Sequence, residues 1–343
     1  MNESASPIVC DVDFSGPGKQ VGNLYVPYSR NDSAWGKVLI PIAVIQNGDG
    51  PTLYLNAGTH GGEYEGPVSL LKLIRWLEPH HVQGRVIITP TLNPLAVRSG
   101  ERLCPADGKD LNRVFPGDPR GTLSQVVAHY VSEHILPLAD AVVDLHSGGS
   151  SLQLLPYASM HYLADPTQFR ATYEAMRAFG APYSLLIREF SGPGLLDYEV
   201  ESRGKVFLCP ELGGSGTLEP YTLKIAEQGV RNVLRHMNIM AGEPSEVDVP
   251  VIASSQLIEV PDPDHYYLAR ISGIFEPCVR LGDEVATGQR LGQIHSLDDP
   301  ERDPYQVIAV QDGIVLGRRG PGVTTRGDNV ALVARVIEEP PGV

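Results

Sequence analysis

The 343-residue sequence has no long apolar segment and no closely spaced pair of cysteines. No apolar run approaches the roughly 20 residues that a membrane-spanning helix needs, so we predict that the chain does not cross a membrane. The first seven residues lack the basic region and the apolar core of a secretory signal peptide. The four cysteines are widely spread without a C-x-x-C pair, a pattern typical of reduced thiols. A cytoplasmic location is therefore expected.

Basic residues are few, because 27 lysines and arginines stand against 41 aspartates and glutamates, for a net charge of −14. An acidic surface repels the phosphate backbone, so we predict no nucleic-acid partner. Hydrophobic residues make up 42% of the chain and charged residues 20%, which is typical of a globular protein with a large core. The subunit number stays open, with a homo-oligomer such as a dimer among the alternatives.

A glycine-rich turn at residues 58–67 separates a strand-like apolar segment at 52–57 from a helical pattern at 68–77. His60 and Glu63 lie in this turn with two glycines between them. Glycine permits the tight backbone turn that lets an imidazole and a carboxylate converge on one point. Open α/β sheets place their ligands at the carboxyl ends of strands. We therefore predict that both side chains belong to the functional site.

Two further strand-like segments end in polar residues. The segment 141–145 leads into His146, and the segment 205–210 leads into Glu211. Two imidazoles and one carboxylate form a catalytic zinc site with an open position for water. The sequence therefore predicts one zinc ion per chain, bound by the histidine and glutamate of the first turn together with His146. Glu211 is the candidate general base.

Strand-like and helical segments alternate through the middle of the chain. Helical spacing occurs at 123–131 and 221–240, whereas 183–204 is predicted to be a loop. This alternation predicts an α/β fold with a mixed, mostly parallel sheet and helices on both faces. Residues 1–45 are predicted to be lead-in strands, and residues 46–242 to be the catalytic domain.

The pattern changes to short strands and glycine turns after a linker at 242–246, which predicts a C-terminal all-β domain over residues 250–343. Residues 273–289, with a second partial copy at 312–316, resemble a biotinyl/lipoyl-like barrel-sandwich module. A carrier module needs a lysine at a hairpin tip, and the loop 296–304 has none. We therefore expect a structural or assembly role for this domain.

The chain resembles the succinylglutamate desuccinylase/aspartoacylase family, a branch of the zinc carboxypeptidase-like hydrolases, over residues 45–240. Within the family, the whole chain looks most like the bacterial Nα-acetyl-L-2,4-diaminobutyrate deacetylases of ectoine breakdown. The resemblance implies a zinc-dependent deacylase for a small N-acyl amino acid, with a C-terminal domain near the pocket entrance. The motifs that carry it are His60-Gly-Gly-Glu63, Asp110-Leu-Asn-Arg113, Asp144-Leu-His146 and Glu211-Leu-Gly-Gly214.

The resemblance also implies roles for a polar loop at residues 99–118. Arg102 resembles the arginine that stabilises the oxyanion in the family, and Arg98 is the alternative. Asn112 and Arg113 resemble the pair that binds the substrate carboxylate. The planar guanidinium fork matches a carboxylate in a bidentate way that lysine does not.

A substrate with a side-chain ammonium group needs an acidic partner, and the predicted loop 183–204 is the candidate source. A basic residue in that place would instead favour an acidic substrate. The acidic candidates are Glu189, Asp197 and Glu199, and the basic ones are Arg188 and Arg203.

Other polar residues have two interpretations. Asp144 points to the same side of its strand as His146, so it either orients this histidine or is a buried group satisfied by the backbone. Glu65 is predicted to lie at a solvated helix start. Five further histidines lie in or beside helical patterns and are predicted to lie outside the site: His80, His81, His129, His134 and His236.

The leading hypothesis is a deacetylase acting on Nα-acetyl-L-2,4-diaminobutyrate. One alternative is a deacylase for an acidic N-acyl amino acid, such as N-acetylaspartate or N-succinylglutamate, and another is a carboxypeptidase for short peptides. A third is a non-catalytic zinc-binding assembly protein. Glu211 opposes the third, because a structural site needs no base beside an open coordination position.

Overall fold

The computed structural model describes residues 6–188, 192–241 and 255–340. Over these ranges the chain forms one 15-stranded mixed sheet, one four-stranded sheet and six α-helices. The helices are α1 (Glu65–Trp76), α2 (Pro94–Ser99), α3 (Leu123–Tyr130), α4 (Pro166–Phe179), α5 (Leu196–Glu201) and α6 (Pro220–His236). Strands of the first half are β1 (Val9–Cys10), β2 (Gly18–Pro27), β3 (Lys37–Asn47), β4 (Thr52–Ala57), β5 (Gly84–Thr89), β6 (Ala141–Leu145), β7 (Leu152–Leu154) and β8 (Tyr157–His161). Strands of the second half are β9 (Tyr183–Ile187), β10 (Val206–Glu211), β11 (Gln256–Val260), β12 (Tyr266–Leu268), β13 (Gly273–Pro277), β14 (Glu284–Val285), β15 (Arg290–His295), β16 (Tyr305–Ile308), β17 (Gly313–Arg319), β18 (Val323–Thr324) and β19 (Asn329–Val336).

Parallel pairing at the centre of the large sheet aligns the strand ends that carry the site. The strand order is β1-β2-β3-β5-β4-β6-β10-β8-β9-β11-β19-β17-β14, with β12 on β19 and β7 on β17. Strand β4 is parallel to β5 and β6, and β6 is parallel to β10. The carboxyl ends of β4, β6 and β10 therefore lie side by side. The predicted α/β class with a mixed sheet is confirmed, but the sheet is not mostly parallel, because the pairs that the N-terminal strands and the C-terminal β region add are nearly all antiparallel.

Both faces of the central sheet are buried, so its strands are mostly apolar, with Asn56 and Asp144 among the buried polar exceptions. Successive residues point to opposite faces. Leu53 and Leu55 pack into a core with α1, α4 and α6, whereas Tyr54 between them belongs to a second core with α3 and α5. Helices thus cover both faces, as the alternation of strands and helices predicts.

The segment 183–204 is not the loop that we predict from the sequence. It contains strand β9, which pairs in parallel with β8 and β11, and helix α5. Helix α5 has only six residues, so it is too short to show helical periodicity. Tertiary contacts stabilise it, because the N–H of Leu196 donates a hydrogen bond to Oδ1 of Asn112 at 2.9 Å.

The terminal segments join the large sheet on both sides. Strand β3 pairs with β5, so the predicted lead-in strands continue the sheet of the catalytic region. On the other side, β11 pairs with β9, and β17 pairs with β7. Strands β16, β15, β13 and β18 form the small antiparallel sheet. The predicted linker at 242–246 lies outside the described residues, and the domain boundaries stay a prediction.

In the described part of the chain, no helix is both long enough and apolar enough to span a membrane.

Candidate active site

Two histidines and a glutamate converge where β4 and β6 end. Oε1 of Glu63 is 2.9 Å from Nδ1 of His60, and Oε2 of Glu63 is 2.9 Å from Nδ1 of His146. None of the three residues is more than 5% exposed. One ligand atom from each lies within 4.8 Å of the others, so the three side chains can bind one metal ion.

The two glycines between His60 and Glu63 are a steric requirement. A Cβ on Gly61 would lie 2.0 Å from the carbonyl oxygen of Ala96, the helix α2 residue against which the turn closes. Gly62 has a φ of +83°, a left-handed conformation that other residues rarely adopt. The turn therefore reaches its position against α2 only with small residues at both places.

Each histidine also has a second carboxylate partner, a different one for each ring, at its Nε2 atom. Nε2 of His60 is 3.0 Å from Oδ1 of Asp110, and Nε2 of His146 is 2.8 Å from Oδ2 of Asp144. The other oxygen of Asp144 accepts a hydrogen bond from the Asn56 amide at 2.7 Å. Asp144 therefore orients His146, and it is also satisfied by a side chain of the neighbouring strand. Such partners fix the ring orientation of metal-binding histidines.

Electrostatic interactions keep Glu63 ionised. Burial by itself raises the pKa of this carboxyl, but the nearby His146 and His60 lower it to about 2. Burial lowers the pKa of His146, yet the charges of Asp144 and Glu63 raise it well above the usual value. The cluster thus attracts positive charge to the space between the two Nδ1 atoms, where a cation would replace the protons.

Glu211 lies beside His146 at the end of β10. The N–H of His146 donates to the carbonyl oxygen of Pro210 at 2.9 Å, and the N–H of Leu212 donates to the carbonyl oxygen of His146 at 3.0 Å. Oε2 of Glu211 is buried and has no hydrogen-bond partner among the described residues. Burial raises the pKa of Glu211 to about 7, with His146 opposing the shift and Glu63 adding to it. This carboxylate is therefore able to take up and release a proton near neutral pH.

The arginine candidates differ in position. Nε of Arg102 pairs with Oδ2 of Asp110 at 3.0 Å, and its half-exposed side chain lines the cavity beside the cluster. Arg98 is exposed and is not among the residues found to line that cavity. Because Asp110 also contacts His60, a single carboxylate positions both a candidate metal ligand and the arginine.

Asn112 and Arg113 both line the cavity, one turn after Asp110. Oδ1 of Asn112 accepts the Leu196 N–H, so the amide group of Asn112 is turned with its oxygen toward α5. Nη1 of Arg113 donates to the carbonyl oxygen of Asn112 at 2.7 Å. The loop therefore presents a guanidinium group to the cavity and is attached to the start of α5.

The candidate residues surround one cavity of about 580 Å³. Residues that the sequence analysis does not identify also line it, among them Tyr157, His161 and Tyr266. His161 ends the apolar run of β8, so the strand-end signal that identifies His146 applies to it as well. Tyr266 belongs to the C-terminal region, and nothing in its local sequence indicates a place near Glu211. The C-terminal strands thus contribute to the cavity wall.

The acidic candidates of the 183–204 segment lie in different places. Asp197 lines the cavity, whereas Glu199 forms an ion pair with Arg203 four residues later in the chain. Arg188 lies over the ring of Tyr162, 4.0 Å from its centroid. Neither arginine is among the residues found to line the cavity. Glu189 lies outside the described residues.

The prediction of a solvated Glu65 is wrong. Glu65 is fully buried at the start of α1, and its Oε1 accepts a hydrogen bond from Thr222 at 3.0 Å. Burial raises its pKa to about 7. Helix α6 supplies the hydroxyl, so the burial results from tertiary packing and has no local sequence signal. The five histidines predicted to lie outside the site are absent from the cavity lining found among the described residues.

Comparisons with known proteins find a family model for the middle of the chain and a relative that matches almost its whole length. The family model for the succinylglutamate desuccinylase/aspartoacylase catalytic domain matches residues 49–237. N-alpha-acetyl-L-2,4-diaminobutyric acid deacetylase from Halomonas elongata is 41% identical over 333 residues, covering 97% of this chain and 96% of the relative.

Solved structures of similar proteins have nearly the same fold as this chain. A succinylglutamate desuccinylase/aspartoacylase structure from Rhodobacter sphaeroides is 44% identical, with a TM-score of 0.93 over 97% of this chain and 100% of the other. The product-bound ectoine utilization protein EutE (DoeB) from Ruegeria pomeroyi is 41% identical, with a TM-score of 0.91 over 96% and 99%. The chain therefore belongs to the succinylglutamate desuccinylase/aspartoacylase family.

Proposed function

We propose that this protein is a zinc-dependent deacetylase that hydrolyses Nα-acetyl-L-2,4-diaminobutyrate to L-2,4-diaminobutyrate and acetate, a step of ectoine breakdown. The observation that carries the proposal is the buried cluster of His60, Glu63 and His146 beside Glu211, in a chain that matches the Halomonas deacetylase over nearly its full length. The likeness to the Ruegeria ectoine utilization protein supports the same pathway.

The donor set fits a zinc ion. Two imidazole nitrogens and one carboxylate are the ligands of many catalytic zinc sites, which keep a further position open for water or substrate. His60, Glu63 and His146 would hold the ion, and the buried, unpartnered Oε2 of Glu211 next to them fits a site that receives a polar ligand. When bound, zinc acidifies water and polarises the amide carbonyl. Other divalent ions accept the same ligands.

Glu211 moves the proton in the proposed reaction. Its carboxylate takes a proton from the attacking water, and the resulting acid delivers that proton to the amine as the amide bond breaks. Burial, which raises the pKa of Glu211 to about 7, suits both steps, because the proton is then held neither too weakly nor too strongly.

Cationic groups stabilise and orient the substrate. We assign to Arg102, which pairs with Asp110, the stabilisation of the negative charge that develops on the carbonyl oxygen. Arg113 binds the substrate carboxylate through its guanidinium fork, and the amide N–H groups of Asn112 assist.

Replacing Asp144 by asparagine should weaken zinc binding about 10- to 100-fold, because His146 loses the carboxylate that fixes and polarises its ring. The measurement is a zinc titration against a competing chelator, with the folded state checked by circular dichroism. Asp303→Asn, at an exposed position, is the matched control and should leave the affinity unchanged. Equal zinc affinity in Asp144→Asn and the wild type would contradict the assigned role.

The zinc-loaded protein should release acetate from Nα-acetyl-L-2,4-diaminobutyrate at least 10-fold more efficiently, in kcat/KM, than from its Nγ-acetyl isomer or from N-acetylaspartate. With its carboxylate on Arg113, the Nγ-acetyl isomer would place its amide away from the metal ligands and Glu211. N-acetylaspartate would bring a further carboxylate into a cavity that Glu63, Asp197 and Glu211 line. The measurement is an acetate-release assay on all three compounds.

Other results of this assay favour the alternative functions. Preference for N-acetylaspartate, or for N-succinylglutamate in a second panel, would keep the zinc mechanism and change the substrate class. Cleavage of short peptides alone would indicate a carboxypeptidase. A protein that binds zinc through four protein ligands and cleaves none of these compounds would be a structural zinc protein.

The remaining parts of the proposal concern location and partners. Four free cysteines fit a reducing compartment, and we place the enzyme in the cytoplasm. The expected partner is the small N-acyl amino acid, with no nucleic acid. Self-association as a homodimer stays a prediction that sedimentation would test.

A further inference from the structure

One carboxylate in the cavity wall has no role in the chemistry described so far. In the described part of the chain, the acidic residues that line the cavity are Glu63, Glu211 and Asp197. Metal binding occupies the first, and proton transfer occupies the second. Asp197 is the remaining negative charge that a bound substrate would meet.

Hydrogen bonds connect the segment before Asp197 to the loop of Asn112 and Arg113, which is proposed to bind the substrate carboxylate. The N–H of Leu196, the residue before Asp197, donates to Oδ1 of Asn112 at 2.9 Å. Two residues earlier, the carbonyl oxygen of Gly194 accepts from the N–H of Phe115 at 3.0 Å. The start of α5 and the Asn112 loop therefore form one connected unit. This unit places the guanidinium group of Arg113 and the carboxylate of Asp197 on the wall of one cavity. The arrangement suits a ligand that carries both a negative and a positive charge.

A nearby histidine does not cancel the charge of Asp197. His161 lines the cavity, and its Nδ1 lies 3.0 and 3.1 Å from the two carboxylate oxygens of Glu201. Glu201 is nearly buried at the other end of α5 and balances His161. Burial raises the pKa of Asp197 to about 6, with His161 opposing the shift and Glu201 adding to it. His161 therefore already has a carboxylate partner other than Asp197.

An independent observation indicates that the cavity receives a ligand. Glu211 lines it, and the buried Oε2 of this residue has no hydrogen-bond partner among the described residues. Such atoms are costly to bury unless a ligand or water satisfies them. Asp197 therefore belongs to a ligand-binding cavity and not to a surface cluster of acidic residues.

We propose that Asp197 receives the side-chain ammonium group of the substrate and thereby selects N-acyl diamino acids against those with acidic or uncharged side chains. This inference rests on the deacetylase function proposed above. Asp197 is half-buried, and its Oδ1 accepts a hydrogen bond from the N–H of Tyr198. A carboxylate in such a place forms strong charge-assisted hydrogen bonds with an ammonium group. A side-chain carboxylate of the substrate would meet a like charge there, and an apolar side chain would cover Asp197 without offering it a hydrogen bond.

The test compares Nα-acetyl-L-2,4-diaminobutyrate with Nα-acetyl-L-norvaline, in which a methyl group replaces the ammonium group. The ratio of their kcat/KM values should strongly favour the first compound in the wild type. Asp197→Asn should lower this ratio about 10- to 100-fold, the usual effect of losing a hydrogen bond to a charged group. Glu199→Gln is the matched control, because Glu199 is on the same helix but pairs with Arg203. It should keep the wild-type ratio.

An unchanged ratio in Asp197→Asn, or an equal loss in Glu199→Gln, would overturn the assignment. Calorimetric binding of L-2,4-diaminobutyrate and L-norvaline to the zinc-loaded protein separates this failure from failure of the deacetylase proposal. If the wild type hydrolyses neither acetyl compound, the proposed function is wrong. The subsite then stands only if diaminobutyrate binds more tightly than norvaline and Asp197→Asn removes the difference. Equal affinities, or no binding of either amino acid, would reject the subsite.

Discussion

Replacing Glu211 by glutamine should lower kcat about 10²- to 10⁴-fold, the usual contribution of a general base, while zinc content stays at the wild-type level. Glutamine keeps the size of the side chain but cannot take a proton from water or return it to the leaving amine. Because Glu211 does not belong to the His60, Glu63 and His146 cluster, its loss should leave the ligands in place. The measurement is steady-state acetate release at saturating substrate, with metal content determined on the same samples.

Glu219→Gln is the matched control, since Glu219 is an exposed glutamate eight residues further along the chain. It should retain wild-type kcat. A Glu211→Gln enzyme that keeps more than a tenth of the wild-type kcat would show that another group moves the proton. Loss of zinc from this variant would instead assign Glu211 to metal binding.

Replacing His146 by alanine should remove zinc and reduce acetate release to the uncatalysed background. The variant loses one of three ligands, and it leaves Glu63 and Asp144 buried without the imidazole that separates them. Breaking a buried charge pair in this way costs roughly 3 to 5 kcal/mol of the free energy of unfolding. Zinc content, acetate release and urea unfolding measure the three effects.

Chelation of the wild-type protein gives the same information without a change in sequence. Removal of zinc should abolish acetate release, and addition of zinc should restore it. The loss should be reversible because Glu63 hydrogen-bonds to both histidines and so keeps the ligands together. For the alanine replacement of His146, the matched control is His236→Ala, since His236 is an exposed histidine at the end of α6 that is not among the residues found to line the cavity. Full activity of the metal-free wild type would exclude the zinc mechanism.

The convergence of the candidate ligands could be predicted from the sequence because it follows from local patterns. Each of the three strand-like segments is mostly apolar and leads into a turn or a residue with a polar side chain. The carboxyl ends of parallel strands lie at one edge of a sheet. His60, Glu63 and His146 meet there because β4 and β6 are neighbours. The glycines of the first turn also predicted the convergence, because glycine permits a tight backbone turn. The structure agrees, since a side chain at Gly61 would collide with Ala96.

Short or unusual elements were harder to predict. The six-residue helix α5 lies in a segment that we expected to be a loop, because two turns are too few for a periodic pattern. Its first N–H is satisfied by Asn112, which is 84 residues away in the chain. Glu65 was expected to be solvated, and its burial depends on Thr222 of α6.

The sequence by itself determined the α/β class, the residues able to bind a metal and the candidate base, because hydrophobic periodicity and glycine turns are local properties of the chain. The tertiary structure alone decided which carboxylates support the histidines, which of the acidic residues near α5 faces the cavity, and which C-terminal side chains complete its wall. Asp110, Asp197 and Tyr266 acquire these positions through contacts between segments distant in sequence. Such contacts depend on strand order and helix packing, and one sequence carries no local signal for either.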